Sequence, residues 1–357
     1  MQTSQSLYIK EILAEAVKAK ANDLHFSVSN YPLMRVNDGL VPLEDKAIVN
    51  QEFMNSLVEF LLTEEQKKKL AADREIIFTY DFDKNLRFKI NVFYQRGYIS
   101  ATLRYIPSQV PTIDELGLNP ILKKLAESKK GLIIIAGPFG SGRSTTAAAL
   151  VEEINRSRKE YIITIEQPVE YYFTNKKSVI EQREVGLDTR SFLDALSYFQ
   201  EEDGDVLYLS QMNDPQIVPQ VLEIARGSSL VISTMGADSA LRALSAILDM
   251  FQSFDEQRVR DLLSSALRAV ICQKLLPRAG GGLLAAQEIL LVTDAVRSII
   301  AGGSINQLAS IIQTSRKEGM ISMEQVLADL VGAGKLKLED ALANAVDRKS
   351  LEKMLYS

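Results

Sequence analysis

The chain has 357 residues, 46% of them hydrophobic, enough for two domains of ordinary size, each with a sizeable core. Its 41 basic and 46 acidic side chains leave a formal charge of -5, so it lacks the basic excess that drives non-specific nucleic-acid binding, and nucleic acid is excluded as the default partner. The single cysteine, Cys272, rules out an intramolecular disulfide, and the opening MQTSQSLYIKEIL lacks the basic-then-apolar order of a secretory leader, so a cytoplasmic protein is expected. The late apolar stretch LLAAQEILLVTDAVRSII is broken by Gln287, Glu288, Asp294 and Arg297, too often to span a bilayer. Any membrane association is expected to run through partners.

Ile9, Ile12, Leu13 and Ala16 recur at helical spacing, and the pattern then changes to alternation. LRFKINV sets Leu86, Phe88, Ile90 and Val92 against Arg87, Lys89 and Asn91, and ISATLRY does the same with Ile99, Ala101, Leu103 and Tyr105. With YQRG as the turn between them, the spacing predicts a small antiparallel sheet carrying helices on one side. Pro107 and Pro111 end the pattern, which places a linker over residues 106–116 between a domain over 1–105 and a second over 117–357. Beyond it, GLIIIA, YIITI, DVLYL and LVIST alternate with helical stretches, which predicts an α/β fold with a largely parallel sheet wrapped on both sides. From about residue 255 helical periodicity is expected to dominate, ending in a turn and helix at GKLKLEDALANAV.

Between GLIIIA and the helix carrying Ala147, Leu150, Val151 and Ile154 lies GPFGSGRSTT, a phosphate-binding pattern with one change: Gly137, Gly142 and Ser144 fit, but Arg143 stands in place of lysine. Such a loop aims consecutive backbone N–H groups, and the positive end of a helix, at an anion. Gly137, Pro138, Gly140, Ser141, Gly142, Arg143, Ser144 and Thr145 are the predicted nucleotide contacts, and the Ser144 hydroxyl is the candidate magnesium ligand. Arginine keeps lysine's charge but replaces a compact ammonium with a planar fork.

GPFGSGRSTT, TIEQPVE (164–170), QREVG (182–186), AVRSIIAGG (295–303) and GMISM (319–323) together resemble the type IV pilus retraction ATPases, PilT and PilU, of the larger type II/IV secretion ATPase family. NDLHF, LRYIPSQVPTIDELGL and QKLLPRAGGG extend the resemblance to nearly the whole chain. It implies a PAS-like N-terminal domain, a RecA-like P-loop motor domain with a helical C-terminal region, and ATP or ADP with Mg2+ bound in a ring of six subunits at the inner face of the inner membrane. It also implies that Arg87 and Arg104 reach a neighbouring subunit's nucleotide, although a solvated strand face accounts for charged residues at such positions equally well. Arg183 becomes a candidate for shaping the nucleotide-facing loop.

The departures from the family pattern fall on the chemistry. TIEDPIE becomes TIEQPVE, retaining Glu166 and Glu170 but placing Gln167 at the aspartate position. GEMRD becomes SQMND, so Gln211 stands where the family has its water-activating glutamate and Asn213 where it has arginine. The family histidine in GTLHT aligns with Gly236, and an earlier one with Ser229. An amide orients water but cannot take its proton, and losing a positioned base costs roughly 10²- to 10⁴-fold in rate. The expected protein is therefore a hydrolysis-impaired accessory or regulatory subunit, in a homo- or hetero-hexamer with an active retraction ATPase and against the pilus inner-membrane platform protein. Two alternatives stay open: an active hexameric ATPase using Glu166 and Gln211, glutamine being a known water-orienting residue in GTPases, and a nucleotide-free scaffold. His25 and the acidic group Glu201, Glu202, Asp203 and Asp205 are expected to be structural or solvated rather than catalytic or metal-binding.

Overall fold

Helical spacing at the start of the chain becomes α1 (Gln2–Lys18), which buries Ile9, Ile12, Leu13 and Ala16. The computed structural model describes residues 2–19, 21–36, 39–83, 86–251 and 253–356, and its chain divides into two units. The first comprises Met1–Gln109 together with Pro168–Tyr172. After α1 come β1 (Asp23–Ser27), β2 (Leu33–Val36), β3 (Gly39–Pro42), α2 (Gln51–Leu61), α3 (Glu64–Asp73), β4 (Glu75–Asp83), β5 (Leu86–Gln95) and β6 (Tyr98–Ile106). The strands form one antiparallel sheet in the order β3-β2-β1-β6-β5-β4. Local chemistry sets the boundaries. The Asn50 side chain caps α2 by accepting from the Phe53 N–H, and Thr63 with Gln66 makes a reciprocal capping box on α3. Arg96 and Gly97, both at positive φ (50° and 82°), give the β5–β6 hairpin the turn whose twist matches its strands. Phe88, Ile90 and Val92 of β5 and Ala101 and Leu103 of β6 share one buried cluster with Ile12 and Leu13 of α1 and Met54 and Leu57 of α2. Alternation thus selects the face that the helices cover.

The second unit holds Val110–Gln167 and Phe173–Ser357. In chain order it contains α4 (Ile121–Ala126), β7 (Gly131–Ala136), α5 (Arg143–Ser157), β8 (Tyr161–Glu166), β9 (Val179–Glu184), α6 (Phe192–Phe199), β10 (Val206–Leu209), α7 (Val218–Arg226), β11 (Leu230–Met235), α8 (Ala240–Asp249), α9 (Ser253–Ala266), β12 (Leu267–Pro277) and β13 (Leu283–Leu291). Five helices follow: α10 (Asp294–Gly302), α11 (Leu308–Thr314), α12 (Met323–Gly332), α13 (Leu338–Asn344) and α14 (Arg348–Tyr356). The sheet order is β13-β12-β7-β11-β10-β8-β9, parallel throughout except for β13. Successive residues of the central β7 feed two different cores: Leu132, Ile134 and Ala136 join one cluster, Ile133 and Ile135 the other. A strand covered on both faces reads as an unbroken apolar run, as GLIIIA does.

One expectation fails here. Residues 267–291, within the stretch expected to be helical from about 255, form the β12–β13 hairpin, with Ala269 opposite Leu291 and Pro277 opposite Leu283. Five consecutive residues, Ala269 to Gln273, are buried, so no period-two signal separates this strand from a buried helix. Three glycines at positive φ, Gly280, Gly281 and Gly282, turn the chain between the strands. Helices do take over after β13.

Candidate functional site

Parallel register brings the carboxyl ends of four strands, β7, β8, β10 and β11, to one edge of the second unit's sheet beside the middle of β12. Leu209 of β10 pairs with Ile165 of β8 and with Ser233 of β11, while Ala136 of β7 pairs with Met235 of β11 and Cys272 of β12. Gln167, Gln211, Gly236 and Gly137, just beyond the ends of β8, β10, β11 and β7, and Gln273 within β12 therefore line the edge where open α/β sheets bind ligands. At its centre, residues 137–142 connect β7 to α5. A Cβ on Gly137 would lie 2.3 Å from Ser141 Oγ and 2.5 Å from the Gln273 carbonyl, so only glycine fits. Gly142, at φ 82°, is the N-cap of α5 and offers no side chain to close the helix start. Ser141 is buried, and its Oγ has no hydrogen-bond partner among the described residues. The loop's outer rim, Pro138, Phe139 and Gly140, is exposed, whereas Arg143, Ser144 and Thr145 are half-buried. A cradle that a Cβ would fill, an orphaned hydroxyl and an uncapped fifteen-residue helix suit a phosphate group.

Gln273 holds this loop from β12. Its Nε2 donates to the Ser141 carbonyl at 2.6 Å, and its Oε1 accepts from Thr146 Oγ1 and Gln287 Nε2, both at 2.8 Å. Gln287 Oε1 in turn accepts from the Asn119 N–H at 2.9 Å. Buried amides bonded at both oxygen and nitrogen favour one geometry, because turning them away leaves desolvated groups unpaired. Residue patterning did not single out Gln273. Its one signal was its place in QKLLPRAGGG.

At the end of β8, the Glu166 carboxylate is buried and accepts from Thr164 Oγ1 at 2.7 Å and from Gln182 Nε2 at 3.2 Å. Gln211 is half-buried just beyond β10, where Ser210 N–H donates to the Ile165 carbonyl and Met212 N–H to the Thr234 carbonyl. The Gln167 N–H donates to Ser210 Oγ at 3.2 Å. One carboxylate and one amide thus flank the strand ends next to the cradle. Gln211 can donate and accept hydrogen bonds but takes no proton near neutral pH.

The family model of the type II/IV secretion system proteins matches residues 3–285. The chain belongs to that family. Type IV pilus retractation ATPase PilT of Pseudomonas aeruginosa is 34% identical over 342 residues, covering 94% of this chain and 98% of that one. Type IV pilus ATPase PilU of the same organism is 32% identical, over 97% and 91%. The crystal structure of the pilus retraction motor PilT with bound ADP superposes with a TM-score of 0.84 at 36% identity, over 96% of this chain and 98% of that one. The chain is thus PilT/PilU-like, and its second unit is the family's RecA-like ATPase fold.

The other residues singled out from the family pattern are placed as follows. In the first unit, Arg87 is buried: Nη1 donates to both Asp81 oxygens at 2.9 and 2.8 Å, and Nη2 to Thr79 Oγ1 and the Val169 carbonyl at 2.8 Å. Its guanidinium also lies 3.7 Å from the centre of the Tyr172 ring, and neighbouring Lys89 pairs with Glu170 at 2.7 Å. Arg104 pairs with Asp23 at 2.8 Å and keeps 42% of its side chain exposed. His25 Nδ1 meets Thr102 Oγ1 at 3.3 Å, and burial holds the imidazole below its ordinary 6.5. Arg183 pairs with Glu202 at 2.6 Å, and Asp205 accepts from the Tyr161 N–H at 2.8 Å. No group of acidic, histidine or cysteine side chains suited to a metal ion occurs among the described residues.

Proposed function

We propose that the chain is a nucleotide-binding, hydrolysis-impaired accessory or regulatory subunit of a type IV pilus retraction motor. It would share a ring of six with an active retraction ATPase, at the inner face of the inner membrane and against the pilus platform protein. The observation that carries this reading is the contrast along one sheet edge: the glycine loop after β7 leaves a Cβ-free cradle suited to an anion, while the residue just beyond β10 is the amide of Gln211. Gly137, Pro138, Gly140, Ser141 and Gly142 would cradle the phosphates with backbone N–H groups. Arg143 would supply the cation, and Ser144 and Thr145 would offer hydroxyls, Ser144 to Mg2+. The metal's contribution is to neutralise phosphate charge. Glu166, already accepting two hydrogen bonds, is held as a rigid polar support. Of Arg87 and Arg104, the half-exposed Arg104 is the better placed to reach a neighbouring subunit's nucleotide. A subunit of this kind transmits a neighbour's cycle through its interfaces.

The reading is tested by calorimetry with Mg-ATP and Mg-ADP, paired with phosphate release on the same preparation. Binding is expected, with turnover at least ~100-fold below that of an active retraction ATPase assayed alongside, since a missing base costs roughly 10²- to 10⁴-fold. Turnover at a motor's rate would make Glu166 and Gln211 a working, unusual site. That second reading draws on one observation, the buried Glu166 carboxylate at the sheet edge. No binding by folded protein would leave a scaffold.

A further inference from the structure

Gly236 follows β11 directly, and its φ lies outside the left-handed region that favours glycine, so the backbone there does not require one. A Cβ fits there in ordinary van der Waals contact, so any limit falls on the atoms beyond it. A Cβ built on Gly236 would meet only Arg143 Nη1 within 4 Å, at 3.5 Å. Arg143 is the first residue of α5, and β11 lies in the sheet between β7, which carries the phosphate loop, and β10, which leads to Gln211. The guanidinium thus extends from the helix start to the end of the next strand. With Cβ already in contact, side-chain atoms carried beyond it toward the guanidinium would displace it. A lysine ammonium is compact and would leave the space beyond Cβ open; a planar fork requires it.

We propose that Gly236 is the clearance that seats the Arg143 guanidinium beside the end of β11, and that the two residues together form the cationic contact for the phosphate end of a nucleoside di- or triphosphate. The pairing accounts for the two departures together: the guanidinium needs room that a lysine ammonium would not, and glycine at 236 supplies it. A guanidinium so held offers two parallel N–H donors to phosphate oxygens. The phosphate role rests on the nucleotide reading above; the pairing does not.

The test uses the full chain and the variants G236A, G236V, G236H, R143K and R143K/G236H, with Mg-ATP and Mg-ADP affinities from calorimetry and thermal unfolding measured without nucleotide. Affinity should hold in G236A, whose Cβ fits in ordinary contact, and fall in G236V and G236H, reaching about 10-fold or more in G236H, the scale of one lost charge-assisted hydrogen bond. R143K/G236H should bind more tightly and unfold at a higher temperature than G236H alone, because the shorter cation returns the space to the imidazole. Wild-type affinity in G236H, or a double variant equal to the sum of its singles in both measurements, overturns the pairing. If wild-type protein binds no nucleotide, the nucleotide reading fails, and the unfolding cycle still decides whether 143 and 236 are coupled. If G236H does not fold, folding of R143K/G236H supports the proposal and its failure to fold overturns it.

Discussion

Gln273 shows how one side chain can serve both stability and site geometry. Replacing it with leucine would leave the Ser141 carbonyl, Thr146 Oγ1 and Gln287 Nε2 without their partner in a buried region, at roughly 1–3 kcal/mol for each unsatisfied group. Because the three act as a network, the losses need not add, and about 3 kcal/mol is the expected fall in the second unit's stability by denaturant unfolding. The Ser141 carbonyl belongs to the cradle, so Mg-ADP affinity should drop as well, by about 10-fold, equivalent to 1.4 kcal/mol. Destabilisation with unchanged affinity would reduce Gln273 to a core residue. The glycine loop between β7 and α5 was legible in the sequence, because its glycines recur at a spacing that backbone geometry imposes. Its support was not, since a glutamine inside a buried strand has no local signature and its partners lie 14 to 132 residues away.

Glu288 does for two helices what Gln273 does for the loop. From β13 its Oε1 accepts from the Ala240 N–H at 2.7 Å and its Oε2 from the Met323 N–H at 3.4 Å, so one carboxyl joins the first turns of α8 and α12. Those donors favour the anion, but burial outweighs them and holds the carboxyl above its ordinary 4.5. A carboxyl with a raised folded-state value contributes stability that is present in full below about 4.5 and is lost as pH rises through that folded-state value. A glutamine amide in the same place has no proton to lose. E288Q should therefore lose ground to wild type below pH about 4.5 and gain on it as pH rises, in unfolding free energies measured across that window. A constant difference would mean that burial does not govern the group. The strand bearing Glu288 is also the element that periodicity misread. Within the hairpin β12 lies between β7 and the edge strand β13, and burial on both faces of β12 erases the alternation that made β5 and β6 readable.

At the scale of the whole molecule, the chain's path departs from a simple succession of domains. It passes from the first unit to the second after Gln109, returns for Pro168–Tyr172, and leaves again at Phe173. Nothing in TIEQPVEYY announces this, because five residues without regular structure carry no periodicity and their partners lie some eighty positions earlier. The excursion begins two residues beyond Glu166, so the segment that supplies the buried carboxylate continues directly into residues that belong to the first unit. Arg87 holds it there through the Val169 carbonyl and the Tyr172 ring. Its pair with Asp81, whose side chain is 47% exposed, adds little, since solvent screens such pairs. The bond to Val169 and the stacked ring carry more, about 0.5–2 kcal/mol for a cation over an aromatic face. Removing the side chain in R87A should therefore open the strap locally by about 1.4 kcal/mol or more, and cleavage by chymotrypsin after Tyr171 or Tyr172 should quicken about 10-fold, tracking the population of the open form. The two-unit chain need not unfold in one step, so proteolysis of this segment is a sharper reading than a single melting temperature. Unchanged cleavage in R87A would show that the strap is held by other contacts. Faster cleavage with nucleotide affinity intact would separate the strap from the phosphate cradle, whereas a matching loss of affinity would make the first unit's grip on residues 168–172 part of how the motor fold holds its ligand.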